Sequence, residues 1–486
     1  MSLVGHLELI YQAAIRAVCP YKLVRDALKF VPAEMEKMKP YAGILECGGN
    51  KFEIDANVKI AGFGKAAAGM VKAVIDTVGS SNVITGVASV PVGSDYHHHH
   101  DLSPVRVLEG ALHNLPDHNS ETAAKEILSL ATSATASDLF VVLVTGGGSA
   151  LLSLSEDGIT IDEKKLTIAS LANAGASIQE VNRVRQCISK TKAGKLGMAA
   201  YPAKVLSLIL SDIIGDPLEV IASGPTVLQH TYPQQCIDIL HKYDITNLIS
   251  DSVLTYLTRL KEITIPPTTS QRHHIINLLV GNNKIATKVA DETATSLGYL
   301  TKVWSCGITG EAKSIGEVYA QSLYHLVFQE AYLMNTGDSV SPKLLNQFSK
   351  TMQDFTRTTT TPICILGGGE PVVHVKGTGK GGRNQELVLS ALISLSLLDK
   401  ARIDRLPDFL IASVGTDGQD GPTEYAGAYI DKSTLLHYIE CGLHANSYLD
   451  NNDSTIFFEL LNNGKNLIHI GPTGTNVMDL HIVIVK

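Results

Sequence analysis

Two basic side chains in this sequence follow glycine-rich turns, and both could bind an anion. Lys65 comes directly after Gly62 and Gly64, and Arg383 closes a glycine-rich stretch that contains Gly379. Each turn precedes a predicted helix, and the backbone N–H groups at a helix start attract phosphate and carboxylate groups. Lysine offers such a group a point charge, whereas arginine offers a planar pair of donors. We therefore predict that Lys65 and Arg383 contact a phosphate or a carboxylate of a substrate.

Two other turns combine glycine with hydroxyl or amide side chains. Glycine lets the backbone approach a ligand closely, and the polar groups can hold an anion or a metal-bound phosphate. With the glycines already named, the predicted nucleotide-binding residues are Gly62, Gly64, Gly146, Gly147, Gly148, Ser149, Gly379, Thr473, Gly474, Thr475 and Asn476. Ser149 is also expected to cap the helix that follows it. A nucleophilic role for Ser149 is the alternative, but the G-x-S-x-G turn of hydrolases is absent.

Four aspartates follow two further apolar runs in closely spaced pairs. Asp212 and Asp216 form the first pair, and Asp417 and Asp420 form the second. Two carboxylates beyond a strand can bind Mg²⁺ together with phosphate oxygens. A turn explains Asp216, which precedes a proline, equally well, and the second pair could instead hold a substrate hydroxyl. We predict Asp216, Asp417 and Asp420 as metal ligands.

The turn at Gly62 also fits the spacing of a dinucleotide-binding fingerprint, with Gly64 and Ala67 at the later positions. That site further needs an acidic residue for the ribose at the end of the next strand. The next strand ends in Ala-Ser-Val-Pro at 88–91, without a carboxylate. The sequence therefore favours a simple anion site over a nicotinamide site. No G-x-x-x-x-G-K-[ST] sequence occurs, so an ATP site would have to be built on another plan.

Short apolar runs alternate with helical patterns along the chain, which predicts parallel sheets covered by helices. Strands are predicted at 58–61, 83–90, 139–145 and 205–210, with helices at 65–78, 120–131 and 164–174 between them. A second series of strands is predicted at 275–280, 301–304, 362–366, 372–375, 409–414, 467–470 and 480–485. The candidate residues lie where these strands end, which is where ligands of such sheets bind.

The fold class expected from this pattern is α/β, with two α/β domains whose largely parallel, helix-covered sheets flank a cleft. The N-terminal, Rossmann-like domain is predicted to span residues 1–240 and the C-terminal domain residues 241–486, because a helical stretch and a Pro-Pro pair separate the two series. The polar stretch 334–361 is predicted to be a loop-rich insertion without chemical importance.

Composition limits the class of protein. The chain has 486 residues, of which 44% are hydrophobic and 18% charged, as in ordinary globular proteins. The net charge of −8 argues against a nucleic-acid partner. Seven dispersed cysteines without a C-x-x-C pair favour a reducing compartment, so we expect a cytoplasmic protein. No apolar run is long enough to span a membrane, the first thirty residues predict an amphipathic helix, and the histidine run 97–100 predicts a solvated loop.

Several long motifs, in one order, resemble those of the second type of glycerate kinase, whose C-terminal segment, here about 362–486, is called MOFRL. They cover nearly the whole chain. The matching segments are 14–18, 62–66, 145–149, 181–185, 210–217, 222–226, 379–386, 415–422 and 471–479. Residues 192–194, Lys-Ala-Gly, stand where the family pattern has Lys-Gly-Gly.

The resemblance implies an ATP- and Mg²⁺-dependent transfer of phosphate to D-glycerate, usually with 2-phosphoglycerate as the product. It also implies that Lys65 and Arg383 are needed for activity. Asp212 and Asp417 are both candidates for the carboxylate that orients the attacking hydroxyl or takes its proton. A hydroxypyruvate reductase that uses NAD(P) and a sugar-acid sensor without catalysis are the alternatives. The sequence leaves open which hydroxyl is attacked and is compatible with a homodimer.

Overall fold

The computed structural model describes residues 2–33, 42–94, 101–260, 274–328, 340–353 and 361–486. The chain divides into two compact units. We call Pro20–Gly281 the inserted unit, and Met1–Cys19 together with Asn282–Lys486 the terminal unit. The predicted class, two α/β domains, is confirmed. The histidine run 97–100 lies outside the described residues.

The described part of the inserted unit forms two sheets. Its strands are β1 Leu28–Pro32, β2 Gly43–Cys47, β3 Asn50–Ile54, β4 Val58–Phe63, β5 Val83–Pro91, β6 Val105–Gly110, β7 Leu139–Val144, β8 Lys204–Leu210 and β9 Ile275–Gly281. Its helices are Pro20–Ala27, Ala67–Val78, His118–Thr132, Gly148–Leu151, Ile161–Asn173, Ile178–Cys187, Lys195–Ala199, Pro233–Lys242 and Asp251–Leu260.

The larger sheet has the order β6-β5-β4-β7-β8-β9, and all its described pairs are parallel. Every residue of β4 and of β7 is buried, because helices pack against the sheet and leave no face for water. This burial explains why β7 is a continuous apolar run and why β4 is apolar except at Lys59, whose ammonium lies 3.1 Å from Asp138. The carboxyl ends of β4, β7 and β8 therefore meet at one edge of the sheet.

The domain boundary predicted at 240/241 differs from the observed division. Strand β9 pairs with β8 in the first sheet instead of opening the second domain. The helices Pro233–Lys242 and Asp251–Leu260 pack with Ile178–Cys187 in one apolar cluster of the inserted unit. The Pro-Pro pair on which the predicted boundary partly rested lies outside the described residues. Strands β1 to β3 form an antiparallel sheet that the sequence did not predict.

The terminal unit has one described sheet of six strands, in the order β10-β11-β15-β12-β13-β14. These strands are β10 Leu300–Ile308, β11 Ile363–Gly369, β12 Phe409–Gly415, β13 Gly427–Asp431, β14 Leu467–Ile468 and β15 Asp479–Val485. Only β10 and β11 are parallel, so the prediction of a largely parallel second sheet was wrong. Strand β15 lies antiparallel between β11 and β12, and an apolar run carries no mark of its direction. The predicted strand at 372–375 is absent from the sheet, where Val372 forms an isolated bridge.

The described helices of the terminal unit are Leu3–Ala17, Asn283–Ser296, Ala312–Phe328, Pro342–Gln353, Arg383–Ser396, Lys400–Arg405, Lys432–Cys441, Ala445–Asp450 and Ser454–Asn462. Pro342–Gln353 falls in the predicted loop 334–361, so that prediction was wrong for these residues. The helix packs into the core, where the Trp304 indole donates to Leu344 O at 3.1 Å and its ring lies 4.7 Å from that of Phe348. Among the described helices, none is both long and apolar enough to cross a membrane.

Candidate active site

The turn after β7 brings a carboxylate of the neighbouring strand β8 against the backbone. A Cβ atom at Gly146 would lie only 2.2 Å from Asp212 Oδ2, so any side chain there would displace this carboxylate. Strands β7 and β8 are parallel neighbours, and both turns leave the same edge of the sheet. Asp212 is half-buried, which leaves it accessible to a ligand. The glycine at 146 thus has a structural reason that depends on Asp212.

The same turn contacts Lys65. The Lys65 backbone N–H donates to Gly146 O at 2.8 Å. A Cβ atom at Gly147 would lie 3.6 Å from Lys65 Cγ and 3.3 Å from Asn114 Oδ1. Lys65 is exposed, and its aliphatic stem lies beside Gly147. The sequence-predicted residues Lys65, Gly146, Gly147 and Asp212 are therefore brought together in the inserted unit.

The predicted cradle of amides at Gly62 and Gly64 serves a different purpose. Gly64 has φ +123° and its N–H donates to Ser89 O at 3.1 Å, so this group is already used within the fold. A Cβ atom at Gly64 would lie 2.6 Å from Thr145 O, which explains the glycine by close packing of two turns. Ser89 is buried at the end of β5 and donates to Leu151 O at 2.8 Å. The position where a dinucleotide site needs a carboxylate is thus filled by a structural serine.

Ser149 and Asp216 have local environments that differ from the predictions. The short helix after β7 is capped by Gly147 with φ +81°, and Ser149 lies inside the helix, so the predicted cap was wrong. The Ser149 hydroxyl instead lies 3.0 Å from the hydroxyl of Ser223.

Asp216 has a left-handed backbone, φ +57°, and its N–H donates to Ile213 O at 3.1 Å. A turn accounts for Asp216, and metal binding by it stays a prediction.

In the terminal unit, Arg383 lies between two carboxylates. Its Nε donates to Asp479 Oδ2 at 2.6 Å and an Nη donates to Asp479 Oδ1 at 2.9 Å. Its other terminal nitrogen lies 3.1 Å from Glu370 Oε1. Burial lowers the pKa of Arg383, but Asp479 and Glu370 raise it more, so the net shift is upward. The planar fork that was predicted to hold a substrate anion is held by Asp479, and 30% of the arginine side chain stays exposed.

Asp420 caps the helix that Arg383 begins. Its Oδ1 accepts from Asn384 N at 3.0 Å and from Asn384 Nδ2 at 3.1 Å, and its Oδ2 accepts from Gln385 N at 2.9 Å. The capping group of this helix is therefore the Asp420 carboxylate. Burial raises the pKa of Asp420 to about 6, against the opposite effect of the two backbone N–H groups. With its oxygens engaged and the residue buried, Asp420 is better explained as a structural cap than as a metal ligand.

Asp417 is half-buried and lies in the same loop as Asp420. Its Oδ1 accepts from Gln419 N at 3.1 Å, which is an ordinary Asx turn. Its backbone oxygen accepts from Thr473 N at 3.3 Å, so the loops after β12 and before β15 are joined. Asp417 is the sequence-predicted metal ligand of the terminal unit that keeps an accessible side chain.

The hydroxyl groups predicted to bind nucleotide in the loop before β15 hold that loop together. Thr473 Oγ1 donates to Thr416 O at 2.6 Å, and Thr475 Oγ1 donates to Val18 O at 2.7 Å. Asn476 Oδ1 accepts from Met478 N at 3.0 Å. Because a hydroxyl has a single proton, neither threonine has one left for an anion. A nucleotide role for this loop, including Gly474, would have to rest on its backbone.

The glycine-rich stretch before Arg383 is packed against residues 451–454. Gly379 N donates to Asn451 O at 3.0 Å, and Lys380 N donates to Asp453 Oδ1 at 2.8 Å. A Cβ atom at Gly379 would lie 2.4 Å from Asp453 Cβ. Close approach to another segment therefore explains Gly379, whose N–H is already bonded and not available to a phosphate.

Sequence reasoning assigned no site role to Asn114, Ser223 or Glu370, and it did not predict that Asp479 pairs with Arg383. Asp479 begins a strand and is fully buried, a position that a carboxylate occupies only with a strong partner. That was the signal for the pairing with Arg383. Within the described ranges, no three His, Cys, Asp or Glu side chains are grouped so that they could hold a metal.

The raised pKa of Asp420 predicts how stability depends on pH. A carboxyl whose folded pKa lies above its unfolded value of about 4 stabilises the fold below that value and loses this contribution as the pH rises past about 6. The stability of the native protein relative to Asp420→Asn is therefore expected to fall by about 1–3 kcal/mol between pH 4 and pH 7. Thermal unfolding of both proteins across this range measures it. A difference in stability between the two proteins that is constant with pH would contradict the assignment.

Comparison with known proteins agrees along the whole chain. Residues 6–258 match the family profile described as "Domain of unknown function (DUF4147)", and residues 363–479 match the MOFRL family. A glycerate kinase of Bos taurus is 37% identical over 99% of this chain and 93% of its own length. A glycerate 2-kinase of Pyrococcus horikoshii is 33% identical over 97% of this chain and 95% of its own. The crystal structure of a glycerate kinase from Thermotoga maritima has a TM-score of 0.76 and 30% identity, with 98% of each chain covered.

Proposed function

Because this chain belongs to the glycerate kinase family that carries a MOFRL domain, we propose that it transfers the γ-phosphoryl group of ATP to D-glycerate. The observation that carries the proposal is the turn after β7, where Gly146 lies against Asp212 and Gly147 lies against Lys65. Phosphoryl transfer asks a protein for cations that offset developing charge and for groups that position the nucleophile. Lys65 supplies the charge, and Asp212 is a carboxylate of the kind that orients an attacking hydroxyl.

The terminal unit contributes a second set of charged groups. Arg383 keeps an exposed part of its guanidinium between Asp479 and Glu370, which fixes its position. The two carboxylates leave the arginine charged at any physiological pH. We propose that this exposed part contacts a phosphoryl or carboxylate oxygen of the substrates.

Mg²⁺ in kinases is commonly held by one or two carboxylates and by the phosphates of the nucleotide. The described residues fit that pattern, since they include half-buried carboxylates but no group of three ligands. Asp212 in the inserted unit and Asp417 in the terminal unit are each proposed, separately, as a ligand of such an ion, which would supply positive charge to the phosphates. Asp420 is not proposed as a ligand because its oxygens cap a helix.

The product is proposed to be 2-phosphoglycerate, which is supported by the name of the Pyrococcus horikoshii relative. The cleft and the cytoplasmic location stay predictions from the sequence. A hydroxypyruvate reductase is disfavoured because buried Ser89 lies at the end of β5 in place of a ribose-binding carboxylate.

Turnover is expected to require D-glycerate, ATP and a divalent metal together. The reason is that the site offers cations and single carboxylates but no complete metal cage and no dinucleotide carboxylate. Purified protein incubated with every combination of the three, followed by phosphorus NMR that separates 2- from 3-phosphoglycerate, measures it. Removal of metal with a chelator should abolish turnover, and added Mg²⁺ should restore it. Faster oxidation of NADH with hydroxypyruvate than ATP-dependent turnover would refute the proposal.

A further inference from the structure

A chain of hydrogen bonds leads from Ser149 into the interior of the inserted unit. Ser149 Oγ lies 3.0 Å from Ser223 Oγ, which lies 3.1 Å from Asn182 Oδ1. Arg185 donates to the same Asn182 oxygen at 2.6 Å. Ser223 and Asn182 are buried, whereas Ser149 is half-buried, so Ser149 is the outer end of the chain.

The direction of every bond in this chain is fixed by Arg185. A guanidinium only donates, so the Asn182 atom that faces it is the oxygen. Ser223 then gives its single proton to that oxygen. Its own oxygen can only accept from Ser149, which therefore gives its proton inward. What Ser149 offers on its outer side is an acceptor.

The backbone around Ser223 is held firmly. Ala222 and Ser223 both have left-handed conformations, with φ +50° and +63°. Such backbone conformations are unfavourable for residues other than glycine and persist where their surroundings fix them. Here the fully buried Lys192 ammonium donates to Ala222 O at 3.3 Å, and Gln186 Nε2 donates to Ser223 O at 3.2 Å. The Ser223 hydroxyl therefore has little freedom to release Ser149.

This arrangement excludes two roles for Ser149. A serine nucleophile needs a base to take its proton, and the Ser223 hydroxyl and the Asn182 amide are not bases. The chain also cannot remove a proton from a substrate, because it ends on a charged arginine. Phosphate and carboxylate groups are acceptors too, so the outer side of Ser149 does not suit them. This argues against the phosphate-binding role predicted for Ser149 from the sequence.

We propose that Ser149 Oγ accepts a hydrogen bond from an alcohol group of the hydroxy-acid substrate and so selects for hydroxy acids. The inference rests on the proposed function, since an alcohol is the donor that D-glycerate offers. The position supports it, because Ser149 lies in the short helix that directly follows Gly146 and Gly147, which contact Asp212 and Lys65. Ser149 is thus a specificity-determining residue that helps to orient the substrate alcohol.

The test compares ligands that lack one alcohol each. Isothermal titration measures the binding of D-glycerate, of D-lactate without the C3 hydroxyl, and of 3-hydroxypropanoate without the C2 hydroxyl. In the native protein, the analogue that lacks the bonded hydroxyl should bind about 10-fold more weakly than D-glycerate, the worth of one such bond. In Ser149→Ala this gap should close to within about 3-fold for that analogue alone.

Two further variants keep the test sharp. Ser223→Ala removes the group that accepts the Ser149 proton but leaves Ser149 unchanged. It should therefore reduce the difference in affinity between D-glycerate and the same analogue. Ser153→Ala is the matched control, because Ser153 is buried in the next part of the chain and its hydroxyl has no hydrogen-bond partner. Ser153→Ala should show the same differences in affinity between D-glycerate and the two analogues as the native protein.

The outcomes separate the inference from the proposed function. Suppose that the native protein binds D-glycerate and that Ser149→Ala has the same affinity ratios between D-glycerate and the two analogues as the native protein. The inference is then wrong, and the proposed function stands. If Ser149→Ala weakens ATP binding and leaves the three acids unchanged, the hydroxyl serves the nucleotide and the inference is also wrong. If the native protein neither binds D-glycerate nor turns it over with ATP, both fail.

Discussion

Arg383→Lys is expected to lower kcat/KM about 10³-fold, nearly as much as Arg383→Ala, because lysine keeps the charge but loses the fork. Two nitrogens of the guanidinium bond Asp479 and the third bonds Glu370. An ammonium carries its three donors on one atom, so it cannot reproduce the bidentate contact with Asp479 and the contact with Glu370 in the same geometry. Steady-state kinetics of the two variants under saturating metal measure the effect.

Arg383→Ala is also expected to lower the free energy of unfolding, an effect that the sequence did not predict. The Asp479 side chain is 0% exposed, so Arg383→Ala leaves a buried carboxylate without its cation. Removing one partner of a buried pair costs about 3–5 kcal/mol, which thermal unfolding should detect. Arg106→Ala is the matched control, because its partner Glu126 lies at the surface and the pair is largely exposed. If Arg383→Lys keeps most of the activity, Arg383 acts as a point charge, and if the alanine variant does too, it lies outside the active site.

Lys65→Ala is expected to lower kcat/KM about 10³-fold without a change in stability. Lys65 is exposed, and its stem lies over Gly147, so no core volume is lost on truncation. If the ammonium stabilises charge in the transition state, kcat falls and KM for D-glycerate changes little. Kinetics and thermal unfolding of the variant measure both quantities.

Lys72→Ala provides the comparison for Lys65. Lys72 lies on the helix that follows Lys65 and pairs with Asp76 one turn further along it. Its loss should leave the kinetics unchanged. Kinetics of Lys65→Ala that match those of Lys72→Ala would place Lys65 among the solvated surface lysines.

The parallel sheet of the inserted unit was predictable because its central strands are buried on both faces. Burial on both faces requires an apolar residue at nearly every position; β7 meets that requirement throughout, and β4 meets it except at Lys59, which pairs with Asp138. The second sheet was predicted with the wrong direction of its strands. The pattern of β15 is the same whether the strand runs parallel or antiparallel to β11, and only tertiary contacts decide between the two.

The site divides in the same way. Lys65, Gly146 and Asp212 were predictable because turns at the carboxyl ends of adjacent parallel strands must lie close together. The use of Thr475 and Gly379 was not, because the groups that consume their hydrogen-bonding capacity come from other segments. The sequence of a turn shows which hydrogen-bonding groups it contains but not which distant residues bind them. The partner of Arg383, Asp479, lies 96 residues away in the chain.

The helix Leu3–Ala17 belongs to the terminal unit, and this has a consequence for biosynthesis. Its residues Leu7, Ile10 and Ala14 are buried in the finished fold, and Val18 O accepts from Thr475. The helix Asn283–Ser296, which packs most extensively against it, is translated only after the whole of Pro20–Gly281. The inserted unit can therefore complete its fold during translation while the apolar face of Leu3–Ala17 is still exposed. A nascent chain stalled before Asn283 would keep that face exposed, as a binding site for chaperones.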